Sequence, residues 1–140
     1  MKQTQSLTNE QILAKLTEAG VQPTTQRVAI CKYMLCEADH ASAEQVLKWA
    51  EKNLDKISQA TVYNTLNTLV EVGILRTFKF PHSEKVIYDD STHDHYHFLD
   101  EKSGRLYDVE TKDVTIQVSE NSKFDIQSTD VIFKGQLKAI

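Results

Sequence analysis

Hydrophobic spacing changes period at Gly73, and that break constrains the fold more than any other feature of the chain. Before it, apolar residues recur at helical intervals. Val62, Leu66, Leu69 and Val70 fall at i, i+4, i+7 and i+8, which is one buried face of a helix over 59–71. After it, short runs such as Ile74–Phe80 and Glu84–Tyr88 read as strands of a hairpin around Pro81-His82-Ser83. Start signals precede the helices. Thr8 with Gln11 and Ser42 with Gln45 are capping boxes for helices over 8–19 and 42–52. Pro23, with Thr24 or Thr25 as cap, opens a helix to about residue 37, and Ser58 caps the fourth. Segments 95–99 and 105–110 predict a second hairpin around Glu101-Lys102-Ser103-Gly104, and 113–118 and 128–133 are further strand candidates. Helices first and sheet afterwards make an α+β chain.

With 140 residues the chain has room for one compact domain or two small ones. Its 40% hydrophobic and 26% charged residues exclude wholesale disorder and low complexity. No apolar run approaches the ~20 residues of a membrane span. The start, MKQTQSLTNEQ, has no apolar h-region. A cytoplasmic protein without membrane contact is the expectation. The net charge of −4 is unevenly spread: +1 over residues 1–88 and −5 over 89–140, as if the two parts had different tasks. Cys31 and Cys36 are the only cysteines. On one helix they point about 140° apart, so they read as reduced thiols, and a four-cysteine zinc site is excluded within one chain.

Two helices at 42–52 and 59–71, followed at once by a hairpin, have the order of a winged helix-turn-helix. The second helix of such a pair lies in the major groove. Its outward set is Gln59, Thr61, Tyr63, Asn64 and Asn67, with no acidic residue before Glu71. Amides pair with adenine edges, and the carbon of Thr or Tyr can touch thymine methyls. Arg27, Lys56, Arg76, Lys79 and Lys85 are available for phosphates. The plainer alternative is an amphipathic helix whose polar face meets water.

The histidines are His40, His82, His93, His95 and His97, the last three in an H-D-H-Y-H run after Asp89-Asp90. On a strand His95 and His97 share a face. A four-residue loop at 101–104 sets Asp108 opposite His97. Imidazoles and carboxylates together suit a divalent first-row metal, with iron(II), manganese(II) and zinc all compatible. A surface histidine cluster is the plainer alternative, as is a simple helix-flanking role for His40.

Four separated motifs occur in order: AGVQPTTQRVAI, His40-Ala-Ser-Ala-Glu-Gln-Val, QATVYNTLNTLVEVGIL and HDHYHFLDEKSGRLYDVE. Over residues 18–110 the chain resembles the ferric uptake regulator superfamily, and within it most closely the peroxide-responsive repressors. Asn64 stands where iron-uptake members usually carry Arg, and Asp108 where they usually carry Glu. The resemblance implies a regulatory metal site of His40, Asp89, His95, His97 and Asp108 holding Fe(2+) or Mn(2+), with Zn(2+) possible in vitro, and His40 and His95 as the oxidation-sensing residues. It also implies a homodimer on a palindromic double-stranded DNA operator. The family's two CxxC pairs for structural zinc are missing here, and Tyr96 stands where an iron-uptake member would carry an Asp ligand. A haem-linked iron-response regulator is a second relative, but neither cysteine precedes a proline.

The expected architecture is therefore an N-terminal winged helix-turn-helix domain (1–84), a hinge (85–92) and a small α/β dimerisation and metal-binding domain (93–140). The expected function is a metal-dependent repressor sensing peroxide. An iron- or metal-responsive regulator without peroxide sensing is the alternative within the same superfamily. A small metalloenzyme would need an acid/base group or nucleophile beyond the ligands, and none is evident. A metal-free winged-helix adaptor is the third reading.

Overall fold

The computed structural model describes residues 6–79, 84–90, 95–126 and 129–138. Its elements fall into two compact units, which divide in sequence between Thr92 and His93.

The first unit is built on four helices, each begun by its predicted cap. In α1 (Asn9–Glu18) the Thr8 hydroxyl accepts from the Gln11 N–H and the Gln11 side chain accepts from the Thr8 N–H. Ser42 and Gln45 do the same for α3 (Ala43–Asn53). Thr24, rather than Thr25, caps α2 (Thr25–Cys36), and Ser58 caps α4 (Gln59–Glu71). Gly73, at φ +81°, ends α4. Its N–H reaches the Val70 carbonyl and that of Ile74 reaches Leu69, so two carbonyls that would be left over are satisfied. The helices bury Ile12, Leu16, Ile30, Met34, Leu35, Val46, Val62, Leu66 and Leu69 in one core, and Tyr33 stacks on Trp49 with centroids 4.1 Å apart. On α4 Thr65 is buried and Val70 only half-buried, a small rotation from the predicted face.

The sheet of this unit has the order β1-β3-β2 and is antiparallel throughout, with β1 at Ala41–Ser42, β2 at Leu75–Lys79 and β3 at Val86–Asp90. Two-residue β1 carries no periodicity and was not foreseen. It pairs Ala41 with Tyr88 and thereby makes β3 the central strand. This strand lies within the segment expected as a hinge, 85–92. Residues 86–90 pair with β2 along their length, Ile87 and Tyr88 pair with β1 as well, and Ile87 to Asp90 are buried. Asp89 and Asp90 are themselves buried. The tip Pro81-His82-Ser83, His93 and the rest of 91–94 lie outside the described residues.

In the second unit β4 (His95–Asp100) pairs antiparallel with β5 (Leu106–Glu110) and parallel with β6 (Ile132–Gly135). The described residues form this sheet and one 3-10 turn, Thr111–Asp113, with no α-helix. The strand expected over 113–118 does not form in the single chain, where Ile116 and Val118 are about half exposed. The candidate at 128–133 is realised as β6, shifted downstream. Asp100 closes the β4–β5 turn. Its carboxylate accepts from the Ser103 hydroxyl at 2.6 Å and from the Lys102 N–H at 3.2 Å.

Candidate metal centre and DNA-facing helix

On α4 the predicted outward residues Gln59, Asn64 and Asn67 are exposed. Thr61 is half-buried with its hydroxyl 2.9 Å from that of Ser58, so it reinforces the cap. Tyr63 is half-buried too. Burial raises the Tyr88 phenol above its ordinary value, and the charge interaction with Tyr63 adds to that rise. Ala60 is exposed on the same helix and offers an apolar methyl there.

The basic residues are less uniform than the sequence suggested. Arg27 donates from its backbone to Thr24 and from its guanidinium to the Gln22 carbonyl at 2.8 Å, which anchors the start of α2. Lys79 pairs with Glu84 at 3.2 Å. Arg76 stands directly opposite Asp89 across β2 and β3, so its side chain shares a sheet face with that acid. Lys56 and Lys85 are exposed.

The metal candidates divide between the units. In the first, His40 lies between α2 and β1 at φ +53°, a left-handed conformation uncommon outside glycine. Its ring is 5% exposed, with Nδ1 2.8 Å from Asp39 Oδ1 and Nε2 3.4 Å from Asp89 Oδ2. Phe78 meets the ring edge-on, at 6.3 Å between centroids. Asp89 is held in β3, where its Oδ1 accepts from the Asp90 N–H at 2.9 Å. A buried imidazole nitrogen and a buried carboxylate oxygen thus come together, the donor types that divalent first-row metals take. The Asp39 contact and the left-handed turn at His40 were missed. The adjacency of Asp39 and His40 is visible in the sequence, but the dihedral that turns them together is not.

In the second unit His97 on β4 stands directly opposite Asp108 on β5, the register that the four-residue loop implied. Their side chains therefore lie on one sheet face. His97 is half-buried and Asp108 exposed. His95 opens β4 opposite Glu110, and its side chain lies outside the described set. His40 and Asp89 in the first unit, and His97 and Asp108 in the second, are each of the residue types that can ligate an ion.

A model of the ferric uptake regulator family matches residues 18–134. The chain is 34% identical over 99 residues to the peroxide-responsive repressor PerR of Staphylococcus epidermidis. That stretch is 71% of this chain and 65% of the relative, just under two thirds of its length. Among solved structures, the ferric uptake regulator of Vibrio cholerae superposes with a TM-score of 0.70 at 22% identity, covering 89% of this chain and 98% of that one. PerR of Streptococcus pyogenes, described in connection with peroxide sensing and gene regulation, matches at 28% identity with a TM-score of 0.54, covering 98% of this chain and 96% of that one. Helices with a winged sheet followed by a β-sheet unit is the fold of these structures. With the model match over most of its length, the chain belongs to the ferric uptake regulator family, a family of metal-dependent DNA-binding transcriptional regulators and not of enzymes.

Proposed function

We propose that the chain is a dimeric, metal-dependent repressor that senses peroxide through Fe(2+) or Mn(2+) held by His40, Asp89, His95, His97 and Asp108. The observation that carries this reading is that each unit by itself sets an imidazole beside a carboxylate. His40 Nε2 faces Asp89 Oδ2 at 3.4 Å in the first, and His97 is in register with Asp108 in the second. The similarity to peroxide-responsive repressors supports the finer assignment.

One ion drawing ligands from both units would couple metal occupancy to DNA binding. Moving a two-state equilibrium from 1:99 to 99:1 takes about 5.5 kcal/mol of differential binding, which completing a ligand shell can supply. The outward face of α4, with Gln59, Asn64 and Asn67, would enter the major groove, and two copies would read a palindromic operator. Apolar surface for the second copy is available at Ile116, Val118, Phe124 and Ile126, all exposed in the single chain. A regulator of this kind works in the cytoplasm. No described helix is long and apolar enough to cross a membrane.

When bound, iron(II) supplies one-electron reduction of hydrogen peroxide. The imidazoles of His40 and His95 are the groups that would take the oxidation, and an oxidised imidazole is a poorer ligand. A gel shift with operator DNA, with and without manganese(II), tests metal dependence. Binding that ignores metal overturns the proposal. Peroxide treatment of the iron form, followed by peptide mapping, tests sensing. A one-oxygen mass gain on His40 or His95 that tracks lost DNA binding is expected. Intact histidines, with oxidation confined to Cys31, Cys36 or Met34, would leave a metal-responsive regulator without peroxide sensing.

A further inference from the structure

We infer that the first unit carries a second ligand site, a cleft between α1, α2 and α3 that takes a small aromatic carboxylate. The cleft has a volume of about 580 Å³, inside the roughly 300–1,000 Å³ range of small-molecule sites. Its walls are largely apolar. Leu13 comes from α1, Val28 and Ala29 from α2, and the rings of Tyr33 and Trp49 stack at 4.1 Å with only 14° between their planes. Leu13 belongs to the apolar stripe of α1, yet it is 46% exposed, whereas Ile12 and Leu16 are buried. A ligand in the cleft would cover it. None of the metal candidates lines the cleft, and no residue of α4 does, so the outward face of that helix stays free.

Charge selects the ligand. Lys32 is the basic side chain of the cleft, and it turns to the α1 flank, where Nζ donates to Asn9 Oδ1 at 3.0 Å. That partner is a neutral amide, so the ammonium is held in place without being neutralised. Glu37 is the acidic side chain of the cleft and follows Tyr33 by one helical turn, on the α3 flank. Its charge, added to the larger effect of burial, raises the Tyr33 phenol above its ordinary value. The two flanks thus differ in sign. An anionic group is attracted on the α1 side and repelled on the α3 side, where the aromatic wall instead favours a flat apolar ring. A ring bearing one carboxylate meets both demands when it lies crosswise, with the acid at Lys32 and the ring against Tyr33 and Trp49. A hydrogen bond between an ammonium and a carboxylate is about twice as strong as a neutral one.

The test uses the whole chain with fluorotryptophan at Trp49, the only tryptophan. Naphthoate and its neutral counterpart naphthamide are titrated and followed by fluorine NMR. Naphthoate should move the Trp49 signal saturably, and naphthamide should bind about 10-fold more weakly. Lys32→Met, which keeps an unbranched apolar stem, should remove that preference and leave naphthamide affinity unchanged. Leu13→Glu, at an exposed position, should weaken naphthoate by about 10-fold through lost cover and added repulsion. Circular dichroism should match the wild type in both variants. A Trp49 signal that neither probe moves would overturn the inference. So would equal affinity of the wild type for the two probes, or a preference for naphthoate that survives in Lys32→Met. Loss of the naphthoate-shifted signal on adding operator DNA would overturn the separation of this cleft from the α4 face.

Discussion

Cys31 has no exposed surface, and burial pushes its thiol from 9.0 up to about 11, with Lys15 opposing and Cys36 adding to the shift. Above pH 9.0 the unfolded chain gives up a proton that the folded chain keeps. Stability therefore falls as pH rises from 9.0 toward about 11, by up to about 3 kcal/mol for this group. Urea unfolding at pH 8 and pH 10.5 should show that loss, and Cys31→Ala should flatten it; an equal slope in the variant would assign the loss to other groups. Iodoacetamide at neutral pH should label half-buried Cys36 well before Cys31. His40→Ala should leave the second unit folded and abolish metal-induced DNA binding, read by gel shift. Wild-type metal dependence in that variant would make His40 a helix-flanking residue only. Single residues were unevenly legible. The identity of the histidines and aspartates was plain, and the loop length set His97 opposite Asp108. Nothing in the letters showed that Asp89 and Asp90 are buried, or that His40 is left-handed, because both follow from the unforeseen pairing and turn around β1.

Each helix boundary was legible because a hydroxyl and, for α1 and α3, an amide three residues later satisfy the first free N–H groups. The same chemistry makes α4 sensitive at its start. Ser58→Ala should cost about 1 kcal/mol in urea unfolding. Asn64→Ala should leave stability unchanged, since the side chain is exposed, while weakening operator binding by about 1–3 kcal/mol. Unchanged binding in that variant would move the recognition surface elsewhere. The strands were harder to place. β1 is too short to carry a period, and 113–118 carries strand-like letters without a partner. The β4–β5 turn has its own pH signature. The Ser103 hydroxyl, with the Lys102 and Ser103 backbones and the Lys102 charge, holds the Asp100 carboxyl below its ordinary 3.8 against the opposing effect of burial. A depressed carboxylate stabilises the fold above its unfolded value, and that contribution is lost as pH falls through the folded one. Ser103→Ala should thus narrow the difference in melting temperature between pH 7 and acid; an unchanged difference would remove Asp100 from the acid response.

At the scale of the whole chain, only two cysteines are present and both lie in the first unit, so folding should not depend on thiolate-bound zinc. After dialysis against a strong chelator, sedimentation should still find a folded dimer; a monomer or an unfolded chain would contradict this. Phe124, at 79%, is the most exposed of the large apolar side chains among the described residues, and Phe124→Asp should give a monomer that keeps its circular dichroism. Parallel pairing of β6 on β4 bears on the order in which the second unit assembles. The β4–β5 hairpin closes through a four-residue turn, whereas Ile132 meets His97 only after all of Thr111 to Val131 is looped out, at a larger loss of chain entropy. β6 therefore docks late and leaves early. The His97 and Glu101 amides, bonded to the Val131 and Gly135 carbonyls, should exchange with deuterium sooner than that of Asp100, which is bonded to Arg105. Because His97 sits on the strand that β6 covers, each brief departure of β6 loosens a candidate ligand, and an ion that holds His97 would lengthen the lifetime of a contact formed by residues far downstream of it.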